Sequence, residues 1–175
     1  MLLLSFVFAT KCLAAPIING SFEDGLSGWT TNDPAKVQVV NSYIASDIST
    51  PVIMNPTDGD NFAVIKAGSP VTSLLSTSFF VIAGQDISFD WFFDGNDYKP
   101  FNDFWSYALQ ISVGGVPIVA NILAQIATTG DFALTGWHNE VFSAPSSGEV
   151  QIAFYAVNAF DSLFSSVLGI DNIKA

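Results

Sequence analysis

"DISFDWFFD", residues 86–94, decides the fold class. Ile87, Phe89, Trp91 and Phe93 fall on one side of an extended chain, and Ser88, Asp90 and Phe92 on the other, the period of two expected of a strand. "SYALQISV" (106–113) repeats the alternation with Tyr107, Leu109, Ile111 and Val113, then meets Gly114-Gly115, a hairpin signal leading into "VPIVANIL". "EVQIAFYAVN" (149–158) does the same with Val150, Ile152, Phe154 and Ala156. Further strands are expected over 17–23, 36–41, 61–66, 74–82, 135–142 and 167–173. "SPVTSLLSTSFF" and "ANILAQIATT" have room for a helical turn, but neither shows a cap followed by a long stripe of period 3.6. Many short strands separated by Gly, Pro, Asn and Asp turns predict an all-β chain, an antiparallel β-sandwich of jelly-roll type.

Half of the 175 residues are hydrophobic and only 12% are charged, the composition of one globular domain. The opening "MLLLSFVFATKCLAAP" has a short apolar run and small residues, Ala14 and Ala15, before Pro16. That is the layout of a secretory leader over 1–15, despite the missing positive start and the internal Lys11. The expected mature chain is therefore a single domain over 16–175, secreted or held at a cell surface. The one cysteine, Cys12, falls in the leader, so that domain has neither a disulfide nor a thiol nucleophile.

Sixteen acidic residues stand against five lysines and no arginine, a net charge of −11. This charge argues against nucleic acid and anionic membranes as partners. The missing guanidinium forks argue against acidic polysaccharides as well. Nothing in the mature chain approaches a membrane-spanning length. Catalysis is disfavoured: the single histidine is His138, there is no Cys/His cluster and no phosphate loop, and Glu23, Glu140 and Glu149 form no closely spaced strand motif. Thirteen of the acids are aspartates in turn-like segments, where oxygen ligands for calcium usually arise, although Asp also favours turns for its own sake.

Three segments in order, "NGSFEDGLSGW" (19–29), "NPTDGDNFAVI" (55–65) and "VLGIDNIKA" (167–175), resemble the framing segments of carbohydrate-binding-module-like, galactose-binding-like β-sandwiches of secreted bacterial proteins. The resemblance spans essentially the whole mature chain. It implies a structural calcium with Glu23 and Asp171 as carboxylate ligands and Asp60 contributing its carbonyl. Calcium accepts six to eight oxygens in flexible geometry, so such a staple across the first and last segments is chemically reasonable. The alternative is that Glu23 and Asp24 solvate a turn.

"FDGNDYKPFNDFW" (93–105) resembles a segment of surface-sorted bacterial proteins and of large calcium-dependent adhesins, and "AVNAFDSLFSSVLGIDN" (156–172) resembles their closing pattern. Asp94, Asn96, Asp97 and Asp103 place four oxygen-bearing side chains within ten residues, a candidate second calcium loop, though Trp105 stands where an EF-hand would carry its glutamate. The alternative is an Asx-rich connection with Tyr98, Pro100 and Phe101 folded onto the core. Trp105, Trp137, Tyr98 and Asn102 are the candidate glycan contacts, aromatic faces with polar neighbours. Two function classes follow. One is a calcium-stabilised, non-catalytic binding or adhesion module for a neutral glycan or a surface protein. The other is a self-associating structural subunit of an extracellular matrix or surface filament, which the mean hydropathy of +0.43 favours.

Overall fold

The computed structural model describes residues 16–45, 50–111 and 117–175. The expected leader with Cys12 and the Gly114-Gly115 turn lie outside the described residues. In chain order the strands are β1 (Thr30–Thr31), β2 (Val37–Val40), β3 (Tyr43–Ala45), β4 (Val52–Met54), β5 (Phe62–Lys66), β6 (Ser73–Val81), β7 (Asp86–Asp94), β8 (Phe104–Ile111), β9 (Pro117–Gln125), β10 (His138–Ser143), β11 (Gly148–Val157) and β12 (Val167–Lys174). One helical turn, α1 (Ile126–Thr129), follows β9. Two five-stranded antiparallel sheets, β1-β6-β11-β8-β9 and β10-β7-β12-β5-β2, make the sandwich, and β3 and β4 pair as a separate hairpin. Among the described residues no helix is long and apolar enough to cross a membrane.

The alternation in 86–94 has the expected result: Ile87, Phe89, Trp91 and Phe93 are all buried between the sheets. Phe89 meets Phe154 of β11 at 5.1 Å and Tyr107 of β8 at 5.0 Å, both edge to face, and Trp91 meets Trp105 at 4.7 Å. Burying such rings contributes roughly 2–3 kcal/mol apiece, which lets a sandwich hold without a disulfide.

The other face of β7 departs from simple alternation. Phe92 is also fully buried, packed with Met54, Phe62, Val64 and Val167 and covered by Tyr43 and Trp137. The β3–β4 hairpin and the segment before β10 close over this outer face, so its residues are apolar. Room for the Phe92 ring comes from Gly169, its register partner on β12, where an added methyl group would overlap the ring.

Residues 17–23 form turns rather than the expected strand. Asn19 and Phe22 take left-handed φ values of 56° and 57°, which breaks an extended run. The Asn19 amide donates to the carbonyls of Gly25 and Ser27, and the Trp29 indole donates to the Asn19 carbonyl. The segment is thus a folded plug that inserts Phe22 against Trp29, ring centroids 5.1 Å apart. An Ile173 N–H to Gly20 carbonyl bond of 3.0 Å ties it to β12.

Candidate functional site

Glu23 and Asp171 come from opposite ends of the chain and grip the same loop, residues 57–61. Glu23 Oε1 accepts from the N–H groups of Asp60 (2.8 Å) and Asn61 (2.9 Å), and Oε2 from the Asn61 amide at 3.3 Å. Asp171 Oδ2 accepts from the Thr57 N–H (2.7 Å), the Thr57 hydroxyl (3.1 Å) and the Asp58 N–H (2.9 Å), while Oδ1 accepts from the Asn172 N–H. The loop can approach this closely because Gly59, at φ 73°, has no side chain; a Cβ there would strike the Glu23 carboxylate. Asp171 is fully buried, and burial pushes its carboxyl pKa up against the pull of those donors.

The candidate calcium loop divides into two pairs. Asp94 accepts from the Tyr43 hydroxyl at 2.7 Å and the Asn96 amide lies 3.4 Å from the same oxygen, so these two residues serve the hairpin. Asp103 instead reaches residues 159 and 166, and Asp97 lies within range of the charges of Asp103 and Asp161. Asp103 Oδ1 accepts from the Ala159 N–H at 2.8 Å and Oδ2 from the Ser166 N–H at 3.0 Å. Both carboxylates are fully buried. Burial pushes Asp97 up to about 6, with the charges of Asp103 and Asp161 adding to the rise and its bond from the Tyr98 N–H opposing it. Asp103 is raised as well, chiefly by burial.

These shifts set a pH dependence. A carboxyl whose pKa is higher folded than unfolded binds its proton preferentially in the folded chain, so stability is lost as pH rises from the unfolded value near 4 through the folded value. In the presence of a chelator, urea melts are expected to show the midpoint falling between about pH 4 and pH 6 and levelling above, with Asp97 alone contributing on the order of 2–3 kcal/mol. A midpoint that rises over that interval contradicts the assignment.

The four candidate glycan contacts separate by exposure. Trp105 is completely buried against Trp91, so the expectation that its ring faces a ligand is corrected: it shares the inward parity of Tyr107 on β8. Trp137 is half-buried, its edge on Phe92 and Phe62 and its indole N–H bonded to the Asn55 carbonyl. Asn102 is committed on both sides, its amide to Gln125 and its carbonyl to the Ala127 N–H, and thereby fixes the start of α1. Tyr98 is exposed and sits in a ring cluster with Phe101, Phe132 and Phe164 at the loop end of the sandwich.

A cleft that sequence reasoning missed lies on the outer face of the second sheet. It has a volume of about 200 Å³ and is lined by Lys36, Gln38, Val40, Tyr43, Lys66 and Val167 among others. The signal was present: residues 36, 38 and 40 share one face of β2 and its approach, and Val64 and Lys66 the matching face of β5, its antiparallel neighbour. Two of the chain's five lysines therefore meet in one place on an otherwise acidic protein.

No protein-family model matches the chain, and no curated protein matches its sequence. Solved structures do match in fold. TmCBM61 in complex with β-1,4-galactotriose aligns over 89% of this chain and 92% of its own, with TM-score 0.55 and 19% identity. The K2 cleaved adhesin domain of Lys-gingipain aligns over 89% and 94%, with TM-score 0.53 and 18% identity. CBM27-1 of Caldicellulosiruptor saccharolyticus in complex with mannohexaose aligns over 91% and 96%, with TM-score 0.51 and 11% identity. The chain thus has the antiparallel β-sandwich fold found in carbohydrate-binding modules.

Proposed function

We propose that this chain is a secreted or cell-surface, non-catalytic module that binds a neutral glycan in the cleft on the second sheet. The observation that carries the reading is the cleft's make-up. Tyr43 supplies an aromatic wall, while Gln38, Lys36 and Lys66 supply hydrogen-bonding groups for hydroxyls, the mixture typical of small polar ligands. The net charge of −11 disfavours acidic sugars, and the shared fold with glycan-bound modules supports the class of ligand. Calorimetry with β-1,4-galactotriose, mannohexaose and xylohexaose tests it. At least one is expected to bind, with Gln38→Ala plus Lys66→Ala weakening it by about tenfold and leaving the melting temperature unchanged. No binding to any of the three, or binding indifferent to the double substitution, overturns the reading.

A calcium staple at Glu23 and Asp171 belongs to the same proposal. The two carboxylates meet on one loop, and Asp171 Oδ1 and Glu23 Oε2 each keep acceptor capacity, with a single donor apiece. The neighbouring Asn172 side-chain carbonyl is buried without a partner. Among the described residues no three acidic, histidine or cysteine side chains converge on a metal-sized point, so a cation here would draw its remaining ligands from amide and main-chain oxygens. That donor chemistry fits calcium, which when bound would neutralise the buried Asp171 charge. The ring cluster of exposed Tyr98 and Phe164, with exposed Phe160 and Leu163 on the same loop as Phe164, favours a second reading in which that surface meets a partner.

A further inference from the structure

Segments 97–103 and 158–166 are tied together through Asp103, and both carry buried side-chain oxygens. Asp97 Oδ2 and the Asn158 side-chain carbonyl are buried without a hydrogen-bond partner, and the buried Ser166 hydroxyl faces the Asp103 carboxylate. Asp97, Asn158 and Ser166 are 0%, 4% and 1% exposed. Two such oxygens, one on each of the segments that Asp103 ties together, point to a missing partner, since buried polar groups in native proteins are almost always satisfied. Asp103 organises the group. It takes the N–H of Ala159, the residue after Asn158, on one oxygen and the N–H of Ser166 on the other, and the Ser166 hydroxyl adjoins its carboxylate. Asn158 has spent its amide nitrogen on the Leu163 carbonyl and the Ser165 hydroxyl, which leaves its carbonyl oxygen as the free end.

The bonds that merely shape turns use other atoms: Asp97 Oδ1 takes the Tyr98 N–H, and Asp161 Oδ1 takes the Leu163 N–H. The oxygens left over are not explained by those turns. Positive charge is also lacking. The chain has no arginine, and among the described residues no lysine pairs with Asp97 or Asp103. Asp161 adds a third negative charge to the surroundings of both.

We infer that a hard divalent cation of the calcium class binds between these segments, held by side-chain oxygens of Asp97, Asp103, Asn158 and Ser166. Two carboxylates completed by an amide and a hydroxyl oxygen, with neither sulfur nor imidazole, suit calcium rather than zinc. The cation joins the stretch that carries Tyr98 to the stretch that carries Phe160 and Phe164, and so stiffens the exposed ring cluster. Both expected motifs, "DYKPFND" and "NAFDSLFSS", are used, with Asp94 and Asn96 left to Tyr43. The site shares no ligand residue with the glycan cleft or with the Glu23–Asp171 clasp.

The test uses the chain with calcium chloride as the only added ligand, against chelator. Native mass spectrometry is expected to show a calcium that Asp97→Asn plus Asp103→Asn removes, or weakens by about tenfold or more, and that Glu23→Gln leaves in place. Hydrogen exchange on the unmodified chain gives a second measurement that needs no variant: calcium is expected to slow exchange at the Ala159 and Ser166 amides. Calcium that fails to bind, that binds equally to the double variant, or that slows exchange only across residues 57–61 overturns the inference.

Discussion

Gly169→Ala is expected to destabilise the fold by about 3 kcal/mol, and Gly169→Val by more. Inserting volume into a packed site typically costs about 1–3 kcal/mol, and this site has little room to relax. The added methyl would meet three atoms of the Phe92 ring, and that ring is held by Tyr43 at 5.5 Å, Phe62 at 6.0 Å and Trp137 at 4.8 Å. Gly84→Ala is the control: nothing lies within 4 Å of its would-be Cβ, and its φ of 82° costs only about 1 kcal/mol. Urea denaturation of the two variants measures the difference. A cost at Gly169 no larger than that at Gly84 would mean that the outer face of the second sheet is not covered as described. Phe92→Leu placed with Gly169→Ala is expected to recover part of the loss, the non-additivity of residues in contact.

Asp171→Ala is expected to cost about 3 kcal/mol in chelator, with a further loss once calcium is present. The carboxylate receives three donors from residues 57 and 58 and one from Asn172, and hydrogen bonds to charged groups contribute roughly 1.5–3 kcal/mol each before the relief of burying the charge is subtracted. Glu23→Gln, at an exposed position, is expected to lose less. Thermal melts with and without calcium read both quantities. A variant whose transition matches the parent in chelator contradicts the clasp, and an equal calcium response in parent and variant contradicts the staple.

The sandwich itself was legible because the central strands carry a strong period of two: 86–94 and 149–158 needed only their alternation. Trp105 was legible too, since it shares the parity of Tyr107, yet its polar neighbours Asn102 and Asp103 drew attention to a surface role that burial forbids. The β3–β4 hairpin escaped notice because its strands are three residues each, too short for a periodic signal, and Ile44 and Ile53 remain exposed. Residues 17–23 were misread because Ile17, Ile18 and Phe22 suggest a strand, while the decisive chemistry is the Asn19 side chain holding a turn closed. The cleft required knowing that β2 and β5 are neighbours. The split of the 94–103 acids likewise depended on the hairpin, whose Tyr43 claims Asp94.

The position of β12 in its sheet carries a consequence for biogenesis. Residues 167–174 lie between β7 and β5, so neither of those strands can complete its ladder until the ribosome has added them, long after both have been made. Until then a nascent polypeptide holds two bare inner edges and the apolar side chains of β5 and β7, a state that resists premature closure and calls for a holdase.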